Sequence, residues 1–116
     1  MLPGGFAAAA NYYVCDNTVS CNLNSTGWNT GNDANSCASK SLPCKTIYNG
    51  IIKISGGDTL IIGDGTYTGN NNRIRGIPSG SSGNYTTIKT ENDFGVILSN
   101  LFSGTSSNQE QAPVSI

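Results

Sequence analysis

Four cysteines, Cys15, Cys21, Cys37 and Cys44, fall within one window of 30 residues. Five, fifteen and six residues separate them, and the chain has no histidine. Tetrahedral zinc sites favour close C-x2-C pairs and often add histidine, so neither the spacing nor the composition suits zinc. An even, clustered count points instead to two disulfides formed in an oxidising compartment. Three pairings are open. Cys15–Cys21 with Cys37–Cys44 would close two small loops, whereas Cys15–Cys44 would tie the first strand to the start of the helix.

The carboxylates offer less. Asp58 and Asp64 flank one apolar run, where aspartate is the ordinary turn residue. Glu91 and Asp93 would share one face if extended. A carboxylate pair acts as acid and base only when burial separates its pKa values, and "TENDFG" shows no such burial. Asp16, Asp33 and Glu110 complete the set. The segment "NTGNDANS" (residues 29–36) places Asp33 beside Asn29 and Asn32, hard oxygen donors of the kind calcium prefers. It lacks the spacing and terminal Glu of an EF-hand loop, so calcium is a weak expectation and no other cofactor is implied. No phosphate-cradling Gly-x-x-x-x-Gly-Lys and no nucleophile elbow occurs. A cysteine nucleophile would lack a histidine base. No catalytic residue is therefore assigned. Two sequons, at Asn24 and Asn84, are acceptor candidates for glycosylation in a eukaryotic secretory pathway.

Six Lys and Arg against seven Asp and Glu leave a net charge of −1, which excludes a strongly basic nucleic-acid surface. No apolar run approaches the roughly 20 residues that span a bilayer. The opening "MLPGGFAAAA" resembles the tail of a signal peptide, with an A-x-A site at residues 8–10 but no basic start. Secreted or cell-surface location follows as the expectation.

These groups need a scaffold, and the scaffold is turn-rich. Gly, Asn, Ser and Thr make up nearly half of the 116 residues. "NYYVC" reads as a strand. Residues 16–42 are almost all turn formers, too long for an ordinary connection unless braced. Trp28 is the largest apolar group there and its one aromatic, and is expected to plug the loop's underside. After Pro43, Thr46 is a good N-cap. Ile47, Ile51 and Ile54 then recur at helical spacing with Lys45, Asn49 and Lys53 opposite, predicting one amphipathic helix over residues 46–55 that ends at Gly56-Gly57. At about ten residues it needs something to cover. "LIIG" follows, a run that fits a strand buried on both faces. "RIRGI", "YTTIKT", "GVILS" and "PVSI" read as further short strands, with "SGSSGN" as a loop.

The order "YYV", a polar insertion, "PCKTI", a short helix, "GGDTLIIGDGTYTG", "SGSSGNYTTIKTEN" and "GVILSN" resembles the N-terminal cap and first coils of secreted right-handed parallel β-helix proteins of the pectate-lyase-like superfamily. The resemblance spans residues 12–100. It implies a mostly β fold: the N-terminal fragment of a right-handed parallel β-helix with one short capping α-helix. Residues 1–10 would be the residual signal tail, and residues 11–116 the cap and first coils, truncated at the C-terminus. Ile61, Ile88 and Ile97 would form an inward ladder. Gly50 would weaken the helix by up to about 1 kcal/mol. Catalysis in such enzymes uses calcium-binding carboxylates and a basic residue on middle coils that this chain does not contain. The implied role is a structural cap whose partners are the rest of a longer β-helix chain and a polysaccharide or other glycan. A glycan-binding cell-surface adhesin module and a stand-alone disulfide-stapled secreted protein are the alternatives.

Overall fold

The computed structural model describes residues 9–99 together with 114 and 115. Six short strands, β1 (Asn11–Val14), β2 (Thr59–Ile62), β3 (Gly65–Thr68), β4 (Thr87–Thr90), β5 (Val96–Ser99) and β6 (Val114–Ser115), form two three-stranded sheets. The first has the order β1-β2-β4 and is parallel throughout. The second has the order β3-β5-β6, with β3 parallel to β5 but β6 antiparallel to β5. Among the described residues two α-helices, α1 (Thr18–Cys21) and α2 (Ile47–Lys53), replace the single one expected.

The expected right-handed parallel β-helix is therefore corrected. Among the described residues there are two small open sheets, not a closed or continuous stack of parallel coils, and the pairing of Leu98 with Val114 runs in the opposite sense to its neighbours. Regular turn signals report where strands stop. They do not fix which strand lies beside which, so the same spacing serves more than one topology. "RIRGI" forms no strand, and its Ile74 and Ile77 stay exposed. Most of the signal-like tail (residues 1–8), together with Glu110, Pro113 and Ile116, lies outside the described residues.

The main core gathers Val14, Leu60, Ile62, Tyr67, Val96 and Leu98 beneath Ile47, Ile51 and Ile54 of the helical segment. β2 is buried on both faces, as its unbroken run predicts. Leu60 and Ile62 point into this core, whereas Ile61 points the other way, against Cys15, Cys21 and Trp28. The expected ladder of Ile61, Ile88 and Ile97 is thus wrong in phase. The column that stacks is Tyr12, Leu60 and Ile88, Ile61 pairs with Lys89, and Ile97 is 39 % exposed. An apolar run with no polar alternation carries no phase, and a shift of one residue exchanges the faces.

α2 packs on β1 and β2 through Ile47, Gly50 and Ile51. A Cβ at Gly50 would stand 2.8 Å from Leu60 Cδ1 and 2.9 Å from Val14 Cγ2, so glycine is what lets the helix lie close. The helix stops at Lys53, earlier than expected, because Ile54 turns to extended backbone and buries itself. The left-handed glycine, Gly57 at φ +93°, serves the following turn, where Asp58 N–H donates to the Ser55 carbonyl. Asp58 holds that turn by accepting from Ser55 N (2.8 Å) and from Ala10 N (2.9 Å).

Candidate functional site

The site is built on the long loop between β1 and α2. Two disulfides brace it: Cys15–Cys21, with Cα atoms 6.1 Å apart, and Cys37–Cys44, with Cα atoms 4.9 Å apart. This is the pairing that closes two small loops, and all four cysteines are fully buried. The returning chain runs beside β1. Cys15 N–H donates to Cys44 O, Cys44 N–H to Tyr13 O and Tyr13 N–H to Cys37 O, at 2.8, 2.9 and 2.8 Å. A side chain at Gly31 would collide with the Cys15 and Cys44 carbonyls, so the loop crosses there on glycine.

Trp28 plugs the underside as expected, 2 % exposed, edge-on to Tyr13 at 5.9 Å. Its Nε1 is buried without a hydrogen-bond partner. The Lys40 ammonium lies 5.2 Å from the indole centroid and pairs with Glu91, linking the loop to the turn after β4. Cation–π contacts of this partly exposed kind are worth about 0.5–1 kcal/mol.

Asp33 was the centre of the calcium expectation. Its Oδ1 accepts from Lys45 N (2.9 Å) and Thr46 N (3.0 Å), and its Oδ2 from Thr46 Oγ1 (3.0 Å). Asn29 donates to Ser41 O, and Asn32 Oδ1 accepts from Ala34 N. The three residues thus turn their polar atoms to separate partners. Among the described residues no group of three His, Cys, Asp or Glu gathers around a metal position. Calcium is left as an expectation without a convergent donor set.

A polar groove of about 500 Å³ opens where the two disulfide-anchored segments meet the end of β3. One wall carries Asp16, next to Cys15, and Lys45 and Thr46, next to Cys44. Lys45 Nζ approaches Asp16 Oδ1 at 3.5 Å and the Asp16 carbonyl at 3.4 Å. Both side chains are partly exposed, so this pair contributes at most about 1 kcal/mol to folding. The other wall is Thr68, Gly69 and the 3₁₀ turn Asn70–Asn72. Gly69 enters that turn at φ +85°, a backbone state that favours glycine. Asn72 forms the buried floor. Its Oδ1 accepts from Ile47 N (2.9 Å) and its Nδ2 donates to Thr68 O (2.8 Å), locking α2 to the end of β3. Asn70 and Asn71 are exposed, and among the described residues their side-chain amides make no hydrogen bond.

Tyr67 supports the groove from beneath. Its hydroxyl donates to Gly63 O (2.8 Å) and accepts from Asp16 N (3.3 Å). Burial pushes its pKa up, and the Asp16 and Asp64 carboxylates push the same way, against the lowering effect of the Asp16 hydrogen bond.

The remaining expectations fall elsewhere. Asp58 and Asp64 are turn residues, with Asp64 accepting from Asn92 Nδ2 at 3.1 and 3.2 Å. Glu91 turns to Lys40 and Asp93 is exposed, so they make no carboxylate pair. Asn24 and Asn84 are both exposed. The groove residues Asp16, Lys45 and Asn70–Asn72 were not singled out from the sequence. Their only signal there was a run of three asparagines after a glycine.

No protein-family model matches the chain, and neither a curated protein nor a solved structure is significantly similar to it. The pectate-lyase-like resemblance gains no support from these comparisons. Disulfides are compatible with an extracellular protein. No helix of the described residues is long and apolar enough to cross a membrane.

Proposed function

We propose that this chain is an extracellular structural module, a small β-rich unit stapled by disulfides that presents a polar surface and carries no catalytic machinery of its own. One observation carries the reading: four fully buried cysteines, paired as Cys15–Cys21 and Cys37–Cys44, pin a loop with little apolar content onto β1 and α2. Such a loop cannot hold itself by burial, and covalent staples of this kind persist in oxidising compartments. Among the described residues the groove contains one carboxylate and one amine in mutual contact, with no histidine, cysteine thiol or second acid beside them. That set can bind and orient but offers no acid and base of separated pKa.

The test is thiol labelling of the exported protein together with urea melts. No cysteine should label before reduction, native or denatured, and the urea midpoint should fall when reductant is added. Free thiols in the exported protein, or a midpoint indifferent to reductant, would overturn the reading.

A further inference from the structure

We propose that the groove between Asp16–Lys45 and the Asn70–Asn72 turn is a binding site for a neutral carbohydrate. The claim goes beyond the structural role and does not depend on it.

The ligand class follows from the walls. Asn70 and Asn71 each present an uncommitted amide, one donor end and one acceptor end, to the groove. An amide matches a pair of adjacent hydroxyls, because each hydroxyl both donates and accepts. Thr46 and Thr68 add hydroxyls, and Asp16 Oδ2, which accepts no hydrogen bond from any described residue, adds an acceptor. Lys45 is engaged by Asp16, which cancels the local charge and disfavours a phosphate or a free anion. Among the described residues no apolar or aromatic side chain lines the groove, so an apolar ligand has nothing to gain there. One carboxylate without further anionic donors makes a poor cation site. A polyhydroxylated, uncharged ligand is what remains, and the volume lies within the range of small-molecule sites.

The walls are also preorganised. Cys15 is hydrogen-bonded to Cys44 and each is stapled to its own partner, Cys21 and Cys37, which fixes the backbone that carries Asp16 and Lys45. Asn72, buried and satisfied at both ends of its amide, fixes the facing turn. Binding therefore has to order side chains only, on a backbone already in place. Without an aromatic platform the affinity should be weak, with dissociation constants on the order of 1 mM.

The experiment is an NMR titration of the oxidised, isotope-labelled chain with four probes: cellohexaose, a neutral galactan hexamer, oligogalacturonate and inorganic phosphate. A neutral oligosaccharide is expected to shift the Asn70 and Asn71 side-chain amides and the Gly69 amide saturably, with little dependence on salt. Asn71→Ala and Asp16→Ala should each weaken that binding roughly fivefold or more, the size of one lost hydrogen bond. Both positions are at least partly exposed, and an unchanged urea melt shows that the variants fold. Absence of saturable shifts with both neutral probes overturns the proposal. So does binding confined to oligogalacturonate or phosphate that disappears at high salt and in Lys45→Ala. Either result leaves the thiol-labelling test of the structural role standing.

Discussion

Asp33 holds Thr46 by both of its backbone-proximal donors: the Thr46 amide lies 3.0 Å from Asp33 Oδ1 and the Thr46 hydroxyl 3.0 Å from Oδ2. Thr46 is the N-cap of α2, yet its own side chain makes no capping bond. The cap is supplied from across the loop, by Asp33 on Lys45 and Thr46 and by Asn72 on Ile47. Two distant side chains thereby satisfy donors that a short helix leaves open, and they tie the loop, the helix and the end of β3 together.

Asp33→Ala removes three hydrogen bonds at once and should cost about 2 kcal/mol or more, the upper end of cap losses. Asp33→Asn keeps one acceptor and should cost less. Thr46→Val removes only the hydroxyl bond and should cost about 1 kcal/mol. Urea melts of the three variants check the order. A Thr46→Val loss as large as that of Asp33→Ala would mean that Thr46 caps by itself.

Gly50→Ala tests the close approach of α2. In an exposed helix the change stabilises by about 0.5–1 kcal/mol. Here the added Cβ would sit 2.8 Å from Leu60 Cδ1 and 2.9 Å from Val14 Cγ2. Overpacking costs about 1–3 kcal/mol and should reverse the sign. A melt more stable than the parent would show that β1 and β2 can move away.

The staples should be separable by mutation. Each closes a loop of six or seven residues in sequence. Replacing Cys37 and Cys44 together by alanine should lower stability by about 2–3 kcal/mol on the loop-entropy account. The same holds for Cys15 and Cys21. Lys45 follows Cys44, so the first pair of changes should also loosen the groove. Carbodiimide coupling of Lys45 to Asp16, read by mass spectrometry, should fall in that variant.

Much of this architecture was legible, and the rest was hidden for identifiable reasons. The period of Ile47, Ile51 and Ile54 marked α2, and the unbroken Leu60-Ile61-Ile62 run marked a strand buried on both faces, because each pattern reflects the environment of its own residues. Trp28 was legible as a plug because it is the one aromatic side chain in a loop made mostly of turn formers. The phase of Ile61 was not, since a run without polar alternation fits either face. The role of Asp33 was not, since its partners lie 12 and 13 residues away across a loop whose path depends on which cysteines pair. The groove was least legible of all. Its residues come from three separate segments, and none is unusual where it stands in the chain.

Tyr67 gives the molecule an alkaline limit. Burial raises its pKa above the ordinary value near 10, so the folded chain holds the phenolic proton more tightly than the unfolded chain does. Its contribution to stability is complete below pH 10 and is lost as the pH climbs from there toward the folded-state value. Ultraviolet titration of the five tyrosines should show one phenol that ionises only as the fold is lost. Tyr67→Phe should remove that delayed phase. It should also cost about 1–2 kcal/mol at neutral pH, because the Gly63 carbonyl is left buried without its donor. If the delayed phase survives in Tyr67→Phe, another phenol carries it and the alkaline limit does not come from Tyr67.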